Sequence, residues 1–129
     1  MRDVILGFSH IQLVVRDVDA SAAFYRAVLG LEDLASGTLG SGAYAALRHP
    51  TAGFVVGMQM AVDGGSTATA GIDHLAFAVA DLGTLERLRG ELAAAGFAPG
   101  DIFEEAVSYN LRLTDPDGLV LELSAPKRQ

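Results

Sequence analysis

The stretch "SHIQLVV" (residues 9–15) sets a histidine and a glutamine into a segment that otherwise alternates like a half-buried β-strand. A second stretch, "DHLAFAV" (residues 73–79), repeats the arrangement, and His74 stands 64 residues after His10. The same offset brings Asp17 onto Asp81, each closing a strand signal and preceding a helical run. In "DASAAFYRAVLG" (19–30) and the residue after it, Ala23, Phe24, Ala27, Val28 and Leu31 are spaced as one apolar face. In "LGTLERLRGELAAAG" (82–96) Leu85, Leu88, Leu92 and Ala95 do the same. Asp19 and Asp81 are the expected N-caps, and Gly30 and Gly96 fall where a left-handed residue ends a helix.

With first strands at 8–15 and 72–79, each helix leads into three further strand signals. These are 32–38, 42–48 and 53–61 in the first half, and 97–104, 107–114 and 118–125 in the second. "HPTAG" (49–53) and "DPDG" (115–118) are turns before the last strand of each half, and "VDGGSTATAG" (62–71) reads as a connector. The order is βαβββ–βαβββ, an α+β fold of two equivalent modules in a single domain, 1–129. Module one is about 1–62, the linker about 62–71 and module two about 72–129.

Bulk properties narrow the setting. A chain of 129 residues buries one core, and no apolar run approaches the ~20 residues that span a bilayer. "MRDVILGFSH" has too short an apolar run for a signal peptide, and zero Cys excludes disulfides and thiolate metal sites. The net charge of −7 argues against nucleic acid, since no basic stripe displaces counterions. The expected location is the cytoplasm, with a small molecule as partner and neither membrane nor nucleic acid involved.

Strand parity separates two faces. Ile11, Leu13, Val15, Phe54, Val56, Met58, Leu75, Phe77, Leu111, Leu113, Leu119, Leu121 and Leu123 lie on an apolar side that needs helices to cover it. The opposite side mixes small and polar residues, as the lining of a cavity does. His10, His74 and Glu122 all fall on it, as do Gln12, Tyr44, Arg48, Gln59, Asn110 and Arg112. Two neutral imidazoles and one carboxylate form a facial set that leaves metal positions open, suited to Fe, Mn, Zn or Ni. An open position lets the ion polarise a carbonyl, stabilise an enolate or activate water. The competing reading keeps the histidines structural and Glu122 an ordinary outward charge. His49, beside Pro50, reads as surface.

"SHIQLVVRDVDASAAFYRAVLGLE", "DHLAFAVADLGTLERLRGELAAAGF" and "LTDPDGLVLEL" resemble the vicinal oxygen chelate superfamily, which includes glyoxalase I, extradiol dioxygenases, fosfomycin-resistance enzymes and bleomycin-resistance proteins. The resemblance implies paired βαβββ modules whose mixed sheets curl around a cavity. It also implies metal ligands on the first and last strands of the modules: here His10, His74 and Glu122. The fourth such position, from "AGFVVG" (52–57) matched to "DGLVLE" (117–122), is Gly57, which cannot ligate. A homodimer sharing each site between chains is further implied. The expected activity is that of a glyoxalase-like lyase or isomerase dependent on a divalent metal. Its substrate is expected to be small, oxygen-rich and anionic, met by Arg112, Arg48, Tyr44, Gln12, Gln59 and Asn110. The alternatives are a metal-free binding protein of the bleomycin-resistance type, or a small extradiol-type dioxygenase.

Overall fold

Each helix begins where an aspartate carboxylate takes over the first free backbone donors. The computed structural model describes residues 4, 7–40, 42–61 and 72–127, so the connector expected at 62–71 lies outside it. Helix α1 (Val18–Leu29) is capped by Asp17, which is extended and accepts from the Ala20 N–H at 3.0 Å. Asp19, expected as the cap, instead sits in the first turn. It favours the N-terminal end of the helix dipole from there, while Asp17 satisfies the open amide. Helix α2 (Leu82–Ala94) is capped as expected by Asp81, whose Oδ1 accepts from both the N–H and the hydroxyl of Thr84.

The C-termini also follow the glycines. Gly30 is left-handed at φ 68°. Beyond α2, Gly96 donates to Ala93 O and Phe97 to Leu92 O, with Gly96 at φ 91°. That is a Schellman closure, which only glycine enters without a Cβ penalty.

The buried stripe of α1 differs from the expected face by about one residue. Val18, Ser21, Ala22 and Tyr25 are buried, while Ala23 and Ala27 are exposed and Phe24 and Val28 are half-buried. Tyr25 offers more area to bury than the alanines of the rival stripe, and the helix turns to seat it. Phe24 packs edge-on against its ring at 5.2 Å. In α2 the expected Leu85 and Leu92 are buried, Leu88 is half-buried and Ala95 is exposed. Among the described residues neither helix is long and apolar enough to cross a membrane.

The strands are β1 (His10–Val15), β2 (Glu32–Leu39), β3 (Gly42–Arg48), β4 (Val55–Met60), β5 (Leu75–Ala78), β6 (Phe103–Glu104), β7 (Ser108–Thr114) and β8 (Val120–Pro126). They form two four-stranded mixed sheets, ordered β1-β4-β3-β2 and β5-β8-β7-β6. In each sheet the first and last strands of a module pair parallel, and the rest pair antiparallel. Both modules therefore share one topology, as the sequence repeat requires. Contacts divide the chain into two compact units, Met1–Thr67 and Ala68–Gln129.

Two strands are much shorter than their sequence signals. β5 starts at Leu75, leaving His74 just ahead of it, and β6 keeps only two of the eight residues expected. Phe97 is consumed by the helix closure, and Pro99 has no N–H to donate. Gly100 still donates to Arg112 O, so the chain runs beside β7 before β6 begins. The core follows the expected parity: Val15, Leu47, Val56 and Met58 are buried in unit one, and Leu111, Leu113, Leu119, Leu121 and Leu123 in unit two.

The two turns close by related means. Asp115 Oδ1 accepts from the N–H of Asp117 and of Leu119. At the matching turn His49 Nδ1 accepts from the N–H of Ala52 at 3.0 Å and of Thr51 at 3.3 Å, with the ring stacked on Phe54. His49 thus pins its turn, a task the sequence did not suggest.

The cap assignment has a direct test in urea unfolding. Asp17→Ala is expected to lower stability by about 1 kcal/mol, and Asp19→Ala by only a few tenths of that.

Candidate metal and anion site

Directly paired residues on neighbouring strands share a face, so the register lays out the polar side of each sheet in rows. In sheet two one row is Ala76, Glu122 and Arg112, and the next is Ala78, Ser124, Asn110 and Phe103. His74 precedes Ala76 by two residues. In sheet one the equivalent rows are Gln12, Gly57 and Ala46, then Val14, Gln59, Tyr44 and Gly37. His10, Val55, Arg48 and Glu32 form a third row there. The register thus sets Gly57 opposite Gln12 as Glu122 is set opposite Ala76.

Sheet two gathers the charges. His74 Nε2 lies 3.1 Å from Glu122 Oε2, and Arg112 Nε donates to Glu122 Oε1 at 3.2 Å. Glu122 is buried at 5% exposure, while His74 and Arg112 are partly exposed. A carboxylate removed from water at this depth is stable only when its oxygens are met by donors or cations, and both are. On the far side of the imidazole, His74 Nδ1 meets Asp73 Oδ2 at 2.7 Å. The Asp73 carboxyl is held below its ordinary range by the His74 hydrogen bond, then by the His74 charge, with a lesser pull from Arg112. Asp73 was not picked out from sequence, although its place directly before His74 was the available signal.

The other histidine has a parallel arrangement. Ser9 Oγ lies 2.9 Å from His10 Nδ1, so each imidazole is engaged at Nδ1 by the residue before it. Such a bond fixes the ring and directs Nε2 outward, as ligand histidines require. Two ligands each about 2.0–2.2 Å from one ion stand about 3.0–3.5 Å apart, and the His74–Glu122 separation falls in that interval. Imidazole nitrogen and carboxylate oxygen suit a borderline or hard divalent ion, so this pair fits one. Within either unit, no three His, Cys, Asp or Glu side chains among the described residues come together as a metal-holding group. Sheet two supplies two ligands, and His10 belongs to sheet one.

The remaining expected residues take different parts. Asn110 is 1% exposed, its amide donating to Glu105 and Ser108 and accepting from Ser124 Oγ, so it braces the floor of the site. In sheet one, Gln12 Nε2 donates to Gln59 Oε1 at 3.1 Å. A Cβ at Gly57 would overlap Gln12 Oε1, so Gln12 fills the room a carboxylate at 57 would need. Arg48 is exposed on the row of His10. Tyr44 lies across Gly37 and lines a cleft of about 250 Å³ with residues of α1, including Val18, Ala22 and Arg26.

The family assignment is clear at this point. Residues 7–123 match the Glyoxalase/Bleomycin resistance protein/Dioxygenase superfamily, and the chain belongs to it. Among solved structures it is similar to a glyoxylase/bleomycin resistance protein/dioxygenase domain from Frankia sp. EAN1pec. That likeness has 29% identity over 95% of this chain and 99% of that one, at a TM-score of 0.82. TnmS3, an antibiotic binding protein from Streptomyces sp. CB03234, shares the fold at 18% identity, with 96% and 98% covered and a TM-score of 0.78. So does a variant of the fosfomycin resistance protein FosX from Listeria monocytogenes, complexed with Mn(II) and 1S,2S-dihydroxypropylphosphonic acid. It is 20% identical, with 96% and 95% covered and a TM-score of 0.76. No curated protein matches the chain by sequence.

The contact at Gly57 predicts a coupled pair of substitutions. Gly57→Ala alone is expected to change stability by less than about 1 kcal/mol, because the atom in the way ends a flexible, exposed side chain. Combined with Gln12→Ala it should melt at or above the single variant, a non-additive result that thermal unfolding will read.

Proposed function

We propose that the chain is a divalent-metal-dependent enzyme of the lyase or isomerase type, acting on a small, oxygen-rich anion. His10, His74 and Glu122 hold the ion. The observation that carries this reading is the convergence of His74 Nε2 and Glu122 Oε2, with the imidazole braced from behind by Asp73. When bound, the ion supplies a Lewis acid for vicinal substrate oxygens and for the negative charge of an enolate. Asp73 and Ser9 set the imidazole planes, Glu122 is kept in place by Arg112, and Arg112 and Arg48 draw the anion in. Gly57 leaves the fourth ligand position without a side chain that can bind metal. FosX, alike in fold, was solved with Mn(II), which supports the choice of a divalent ion.

The working form is a homodimer in the cytoplasm, with His10 of one protomer completing the pair His74 and Glu122 of the other.

A second reading has one observation in its favour. The Arg112–Glu122 ion pair already neutralises the buried carboxylate, so the same cluster is stable in a metal-free protein that binds its ligand without converting it. TnmS3, alike in fold, is an antibiotic binding protein.

Elemental analysis separates the two. Protein purified without added metal is expected to carry about one divalent ion per site, lost in His10→Ala and in Glu122→Ala. No ion, and no uptake on titration with Mn(II), Fe(II), Zn(II) or Ni(II), would overturn the metal-dependent reading. Mixing the two variants after unfolding and refolding tests the shared site. About a quarter of the wild-type metal content should return if protomers exchange ligands, and none if they do not.

A further inference from the structure

Phe103 was not picked out from sequence, and most of the residues expected to form its strand lie outside it. Yet the two-residue β6 holds its ring in register opposite Asn110, on the face that carries Arg112 two residues further along β7. That diagonal offset is within reach of an aromatic ring and a long side chain. The guanidinium carbon of Arg112 stands 5.2 Å from the Phe103 centroid. Arg112 is thus fixed twice, by the ring beneath it and by the Nε–Glu122 bond. Among the described residues no protein group takes either Nη, and 41% of the side chain is open to solvent. A planar cation held at Nε and along one face still offers its Nη edge, the edge that matches two oxygens of a carboxylate or phosphonate. The equivalent positions of sheet one, Ala46 in place of Arg112 and Gly37 in place of Phe103, offer neither a cation nor a ring.

We propose that Phe103 and Arg112 form an oxyanion subsite on sheet two, in which Phe103 positions the guanidinium and the Nη edge takes the anionic group of the ligand. The proposal rests on the preceding reading for its part in turnover, and its chemistry stands without the metal. Glu122 links the two: one oxygen faces His74 and the other faces Arg112. A cation bound on the His74 side offsets the charges of Glu122 and Asp73, so the anion binds more tightly once the cation is present.

Calorimetric titration of methylphosphonate, with and without Mn(II), tests this. Acetate serves as the carboxylate probe and neutral dimethyl methylphosphonate as the control. Wild-type protein should bind at least one of the two anions and not the neutral ester. Arg112→Gln should weaken that binding by about tenfold or more. Phe103→Leu should weaken it by about threefold and leave Mn(II) affinity unchanged, and Phe103→Tyr should restore it. The Arg112 side-chain resonances should shift on anion addition, a signature that a merely structural ion pair does not give. Equal anion affinity in wild type and Arg112→Gln, with the melting transition preserved, overturns the subsite. Arg112-dependent anion binding in a protein that takes up no metal upholds the subsite and overturns the metal reading, so the two failures are distinct.

Discussion

Everything polar about the second sheet is arranged around one buried carboxylate. Glu122 sits on β8 among leucines that form the core, and a charge at that depth is costly unless each oxygen finds a partner. One oxygen meets His74 and the other meets Arg112. The neighbours of those partners follow from this. Asp73 orients the imidazole from behind, Phe103 supports the guanidinium from below, and Asn110 with Ser124 seals the row underneath. A side chain that would weaken an ordinary strand becomes the point from which a site is organised.

The two modules show how far one backbone can support two chemistries. Their strand order is the same and the registers match where both sheets are paired, so the central rows of one sheet have defined counterparts in the other. Glu122 and Arg112 correspond to Gly57 and Ala46, while Ala76 corresponds to Gln12. Bulk has moved between strands: where the last strand carries a long side chain the first carries a methyl group, and where the last carries none the first carries a carboxamide. Between the first and last strands bulk is exchanged, while charge is found only in sheet two's row. On this row sheet one is neutral, with Gln12 bonded to Gln59 on the next row, while sheet two carries the Arg112–Glu122 ion pair.

Much of this was legible in the sequence because strand parity is a strict code. Alternation in "SHIQLVV", "DHLAFAV" and "GLVLELS" was enough to place His10, His74 and Glu122 on one kind of face, and the repeat was enough to set the sequence of elements along the chain. Features that depend on competition between similar local choices were less legible. Asp17 and Asp19 are both credible caps, and the choice rests on where the chain leaves β1. The buried stripe of α1 lies about one residue from the expected face, with the bulk of Tyr25 turned inward. The roles of Phe103 and Asn110 come from diagonal and cross-strand neighbours, which no single strand's pattern reveals. His49 reads as surface until its ring nitrogen is seen accepting backbone amides.

The matched registers also make the molecule a natural pair of sockets. Gln12, Ala46 and Gly57 occupy the same backbone addresses as Ala76, Arg112 and Glu122. Exchanging that trio wholesale moves an ionic row from one half of the chain to the other without asking any strand to change length, partner or direction. Such an edit changes three side chains in each sheet and leaves the fold as it is.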